Sequence, residues 1–188
     1  MAKRQCKKLL TVMVVVVFLV MGLASLGLAQ VSKEIKDAAK MMQNGWTQFD
    51  QGQRMVIQGK EMNDLVAVQQ GAEGLMGPGN NVIKKGRDTI TQGATLYAQG
   101  LQTYQNNLKT PSVAKQGLKM MRDGFHMAKD NGIPMLKQGI AMNNQVAQQK
   151  GFLKKLSQGN QTIKTGFTTM AGGAKLFMQG EQLFLKLK

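Results

Sequence analysis

The sequence predicts an all-α fold: an antiparallel four-helix bundle formed by tandem duplication of a helical hairpin, its helices close-packed along glycine heptads. Three observations carry this. Residues 55–106 align with 135–186 without a gap, and 21 of the 52 positions are identical. Glycine recurs every seventh residue through both copies. Glycine- and proline-rich segments fall where one helix must give way to the next.

The first 29 residues stand apart. Lys3, Arg4, Lys7 and Lys8 form a positive flank, and Leu9 to Leu23 is apolar but for Thr11 and Gly22. Gly27-Leu28-Ala29 places small residues where a signal peptidase cuts, before Gln30. The segment reads as a signal peptide or, left uncleaved, as an N-terminal anchor. In both cases residues 30–188 are expected outside the cytoplasm, periplasmic or extracellular, since the basic flank stays in. Cys6 precedes the apolar run, so it is not the lipid-bearing cysteine of a lipoprotein, and the remainder has no cysteine.

Residues 30–188 form the bundle domain, as hairpin repeats 30–109 and 110–188. The first helix is expected from Lys33 to about Gln70. GAEGLMGPGN then supplies a turn, and the second helix runs from Asn80 to Leu108. Thr110-Pro111-Ser112 separates the repeats, with Pro111 expected near the start of the third helix and Pro78 between the first two. The third helix runs to about Lys150. Further upstream the repeat offset falls from 80 to 79, as Met41, Met42 and Gly45 meet Met120, Met121 and Gly124, so one extra residue sits near Asn131-Gly132-Ile133-Pro134. A kink or bulge is expected there. The fourth helix runs from about Asn160 to Leu187.

The glycine row, position a of a heptad, comprises Gly45, Gly52 and Gly59; Gly79, Gly86, Gly93 and Gly100; Gly117, Gly124, Gly132 and Gly139; and Gly159, Gly166, Gly173 and Gly180. Methionine, threonine and leucine dominate d, from Met41, Met55 and Met62 to Leu176. Bulky apolar residues dominate e, from Phe49 and Val56 to Tyr97 and Phe177. A helical glycine costs about 1 kcal/mol against alanine. Fifteen are retained only if something offsets that cost, and the expectation is close backbone approach between facing helices. Glutamines precede many of these glycines and could bond across the seam edge.

Charge is divided unevenly. Residues 30–108 hold 8 basic and 7 acidic residues, whereas 109–188 hold 13 and 3. Lys115, Arg122, Lys129 and Lys137 take the outward f position of the third helix. That makes an electrostatic stripe for an anionic surface: phospholipid, lipopolysaccharide, acidic polysaccharide or an acidic protein. The function expected is therefore that of an exported, non-enzymatic binding or structural protein. The competing expectation is a small-ligand or soft-metal carrier built on the methionine-rich core, with Met120, Met121, His126 and Met127 as the place to look. Seven-residue spacing favours core packing for those methionines, and His126 at position c lies off the expected core.

No catalytic residues are assigned. One histidine and one cysteine exclude most constellations built on them. Asp123 and His126 lack a nucleophile signature, and Glu61 with Asp64 reads as a solvated face. GAEGLMGPG is not a phosphate loop. No cofactor is implied: di-iron Glu-x-x-His pairs and a haem-attachment motif are missing. Aromatic content of 5% and the lack of a DNA-binding module argue against sequence-specific nucleic-acid recognition. Peripheral membrane contact and homo-oligomerisation are both compatible with the apolar stripe.

Overall fold

The structure, a computed structural model, describes residues 31–186; the segment expected to be a signal peptide or anchor lies outside them. The described residues are 92% helical with no strand, and four helical rods pack together. The first is α1 (Lys33–Gln69) and the second α2 (Gly77–Asn106). The third is α3 (Pro111–His126), a π-helical turn (Met127–Gly132) and α4 (Ile133–Gln149) in succession. The fourth is α5 (Ser157–Leu185). None is long and apolar enough to cross a membrane.

Each hairpin turn closes in the same way. Gly71 and Gly151 have φ of 63° and 76°, the left-handed conformation that glycine tolerates best. The Ala72 N–H donates to the Ala67 carbonyl (2.9 Å) and the Phe152 N–H to that of Ala147 (2.9 Å). These six-to-one bonds end α1 and α4 in Schellman motifs. A 3₁₀ turn follows in each case, Glu73–Met76 and Leu153–Leu156, before the next helix starts. Pro111 opens α3, near the helix start where it was expected, whereas Pro78 lies inside the first turn of α2 rather than between helices. A first-turn N–H has no intrahelical partner, so losing it costs nothing there.

All fifteen glycines of the heptad row are buried. Fourteen of them meet in pairs across two seams, and Gly180 meets the backbone of Ala38 and Met42 instead. Gly45 faces Gly173, Gly52 faces Gly166 and Gly59 faces Gly159, which joins α1 to α5. Gly100 faces Gly117, Gly93 faces Gly124, Gly86 faces Gly132 and Gly79 faces Gly139, which joins α2 to the third rod. In both seams the numbers rise along one helix as they fall along the other. Both seams also cross from one sequence repeat to the other.

The approach is backbone on backbone. A Cβ placed on Gly52 would sit 2.5 Å from the Gly166 carbonyl oxygen, and one on Gly166 would sit 2.6 Å from that of Gly52. The same reciprocity holds at Gly100 and Gly117, 2.6 Å each way. Each glycine thus points a Cα–H at the opposite carbonyl, a weak hydrogen bond that recurs where helices touch this closely.

Two seam ends carry buried amides instead. Asn63 Nδ2 donates to Asn160 Oδ1 and Asn143 Nδ2 to Asn80 Oδ1, both at 2.8 Å. The remaining oxygens of Asn63 and Asn143 have no conventional donor. They lie against Gly159 and Gly79 respectively. A side chain at either glycine would collide with them.

Because the seams are so narrow, position e turns inward and d is left on the flank. Phe49, Val56, Ile90, Tyr97, Met170 and Phe177 are buried. Met55, Met62, Thr89, Leu96 and Thr169 are only half-buried. At mid-height the Phe125 and Phe177 rings stack 3.9 Å apart, and Trp46 and Tyr97 stack at 4.4 Å. A smaller core beneath the turns gathers Ala67, Met76, Ala147, Phe152 and Leu156.

The π turn accounts for the extra residue. Gly124 and Gly132 are eight apart, whereas their partners Gly93 and Gly86 are seven apart. A π turn accommodates one additional residue without ending the helix, so both glycines keep their partners.

Candidate functional site

The third rod and α5 carry the two features with chemical content: a charge cluster at His126 and an open groove beside it. The His126 ring stands where α3 meets the π turn. Its Nδ1 lies 2.8 Å from Asp130 Oδ2, and its Nε2 lies 3.1 Å from Glu181 Oε2 on α5. Arg122 binds Asp123 at 2.9 Å and approaches Glu181 at 3.9 Å. Lys129 pairs with Asp130. The three carboxylates involved are all the acidic residues that 109–188 possess.

The four residues of the expected outward stripe differ in their settings. Arg122 and Lys129 are half-buried and paired with carboxylates; Lys115 is also half-buried, and only Lys137 is exposed. Lys137 Nζ rests 5.4 Å from the centre of the Phe167 ring. The heptad gives f residues to solvent, but the helices bracket this stretch closely enough for α5 to supply Glu181. His126, expected off the core, is half-buried and engaged through both ring nitrogens.

Burial opposes charging of His126, but the Asp130 and Glu181 hydrogen bonds and their charges outweigh it, so its pKa lies above the ordinary value. Burial likewise opposes ionisation of Asp130, and the bonds from Lys129 and His126 overcome it, so its pKa lies below the ordinary value. A raised histidine pKa contributes stability in full below about 6.5, lost as pH climbs through the folded value. A depressed Asp130 contributes above about 3.9, lost as pH falls through its folded value. The cluster therefore supports the fold best between about pH 4 and 6.5. Because His126 is partly solvated, melting should be only about 1–3 °C lower at pH 8 than at pH 5.5. His126→Gln should abolish that difference. NMR titration of the single histidine checks it directly, and a midpoint below 6.5 would refute the assignment.

The methionines named as a soft-metal candidate are dispersed. Met121 is fully buried in the main core, while Met120 and Met127 are half-buried at d. Flanking methionines of the seam instead touch threonine hydroxyls, Met55 with Thr169 at 3.9 Å and Met135 with Thr89 at 4.0 Å. Among the described residues, no group of three His, Cys, Asp or Glu is arranged to hold a metal ion.

The groove runs between the third rod and α5. It encloses about 810 Å³, floored by Ile133, Pro134, Phe167, Met170, Ala174 and Met178, with Lys129, Lys137 and Lys175 along its edges. A second hollow of about 530 Å³ continues it past Phe167 and Ala171 to Ile140, Ile163 and Lys164. Sequence reasoning had no view of this groove, since its floor comes from two elements more than thirty residues apart.

At the turn end, Lys150, Lys154 and Lys155 are exposed. Lys155 Nζ reaches Gln70 Oε1 of the other turn at 2.8 Å, which ties the two turns together. The α1 turn exposes apolar side chains nearby: Leu65 (66%), Val68 (53%) and Leu75 (49%). No protein family, curated protein or solved structure matches this chain.

Proposed function

We propose that this is an exported, non-enzymatic antiparallel four-helix bundle, built by tandem duplication of a hairpin, that docks on anionic phospholipid through its second repeat. One observation carries the reading. Every acidic side chain of residues 109–188 is drawn into the His126 cluster, so the rest of that repeat offers charge of one sign. Lys137, Lys150, Lys154, Lys155, Lys164 and Lys175 are all exposed. The turn end adds Leu65, Val68 and Leu75 to the lysines of the neighbouring turn, a combination suited to the headgroup region. The first repeat has Gln70, Gly74 and Leu75 where the second has Lys150, Lys154 and Lys155.

A lysine near an anionic membrane contributes about 1 kcal/mol, so the triple charge reversal at 150, 154 and 155 should weaken binding at least a hundredfold. Co-sedimentation with phosphatidylglycerol and with phosphatidylcholine vesicles, at low and high salt, measures this. Binding confined to the anionic vesicles, lost in salt and in the triple variant, is the expected result. Equal sedimentation with both vesicle types would reject electrostatic docking, as would indifference to the reversal.

A further inference from the structure

From the groove between the third rod and α5, we infer a binding site for one long-chain fatty carboxylate, its alkyl chain along the apolar floor and its carboxylate at the lysine edge. This goes beyond vesicle docking: Lys137, Lys164 and Lys175 belong to both surfaces, but the turn-end lysines 150, 154 and 155 on which the docking test rests do not line the groove.

Three features point to that ligand. The volume lies within the range of small-molecule sites, and the form is a trough rather than a rounded pocket. Together with the hollow that continues it, the trough follows α5 from Gln182 to Asn160, about 33 Å of helix. A long unbranched chain fits such a shape, and a compact polar metabolite does not.

The edge has the matching charge. Lys137 and Lys175 are exposed, and no carboxylate among the described residues pairs with either. The one acidic residue lining the groove, Asp130, is already held by His126 and Lys129. An anionic headgroup would therefore meet two ammonium groups with no competing anion. Lys137 Nζ already stands over the Phe167 ring, so its charge sits directly over the floor.

The two repeats also differ here in a coordinated way. At the positions equivalent to Ile133, Pro134 and Phe167, the first repeat has Gln53, Arg54 and Arg87. At those equivalent to Lys137 and Lys175 it has Ile57 and Thr95. Polar has become apolar on the floor and uncharged has become basic at the edge, on one face of one copy. A solubilising charge would not need a new apolar floor beside it.

The test is titration of the purified protein with palmitate below its aggregation concentration, by calorimetry, with the neutral hexadecyl alcohol and with acetate as comparators. One palmitate per chain should bind saturably, with the alcohol at least tenfold weaker and acetate without measurable binding. Joint Lys137→Glu and Lys175→Glu substitution, at exposed sites that leave the core untouched, should weaken palmitate at least tenfold. Phe167→Arg, which installs the first repeat's residue, should do the same while circular dichroism reports unchanged helix content. Lys150, Lys154 and Lys155 reversal should leave palmitate binding intact, which separates this site from vesicle docking. Failure of palmitate to bind would overturn the inference. So would alcohol binding of equal strength, indifference to the lysine reversals, or burial of the groove against a second copy in sedimentation equilibrium.

Discussion

Replacing Gly52 or Gly100 with alanine should destabilise the protein by about 2–3 kcal/mol, although alanine is the better helix former. In an isolated helix either change would gain about 1 kcal/mol. In the seam the new Cβ meets the Gly166 carbonyl oxygen and the Met170 amide nitrogen, each at 2.5 Å from Gly52. At Gly100 it meets the Met121 nitrogen at 2.5 Å and the Gly117 oxygen at 2.6 Å. Backbone atoms cannot swing aside as a side-chain tip can, so relief requires the two rods to separate. Separation breaks the neighbouring glycine contacts and loosens the e residues packed beside them. Gly77→Ala is the control: it has nothing within 4 Å and ordinary helical backbone angles. It should stabilise by about 0.4–1 kcal/mol. Urea unfolding of the three variants decides the matter. A stabilised Gly52→Ala would mean that the seam glycines mark a loose array rather than a close one.

The same seams explain which parts of the molecule could be read from its sequence. A heptad of glycines is a strong periodic signal, because nothing else in the residue pattern recurs so strictly. It locates the helices and their contact face. It does not say which helix faces which, since every row looks alike. The partners are α1 with α5 and α2 with the third rod, and only the contacts reveal it. Position d looked like core because methionine and leucine fill it. Close approach at a moves d to the flank and leaves e as the buried row. The carboxylate partners of the charge stripe were hidden for a related reason. A helical wheel describes one helix, whereas Arg122 and His126 take their environment from Glu181, 55 residues beyond His126. Glu181 has Leu101 as its counterpart in the first repeat, and that difference is the one trace the sequence held.

Deleting Asn131 should cost about 3 kcal/mol by itself, yet little or nothing when combined with Pro134→Arg. The argument starts from the register. Without Asn131, Gly124 and Gly132 would be seven apart, like their partners Gly93 and Gly86, and the π turn would have no residue to accommodate. The rod could then close as a continuous α-helix, as α1 does over the equivalent stretch with Gly45 and Gly52. Proline is what stands in the way. In a continuous α-helix it would lack the N–H owed to the carbonyl four residues back, and its ring would press on that carbonyl. In the present structure it follows directly on the π turn, at the start of α4. Arginine, the residue at the equivalent position of the first repeat, removes both faults. The double variant should therefore unfold cooperatively near the parent's midpoint, while the single deletion unfolds well below it. Equal loss in both would show that the π turn is needed for more than register. The fit of Ile133 and Phe167 in the groove would be the next place to look, since that floor begins where the turn ends.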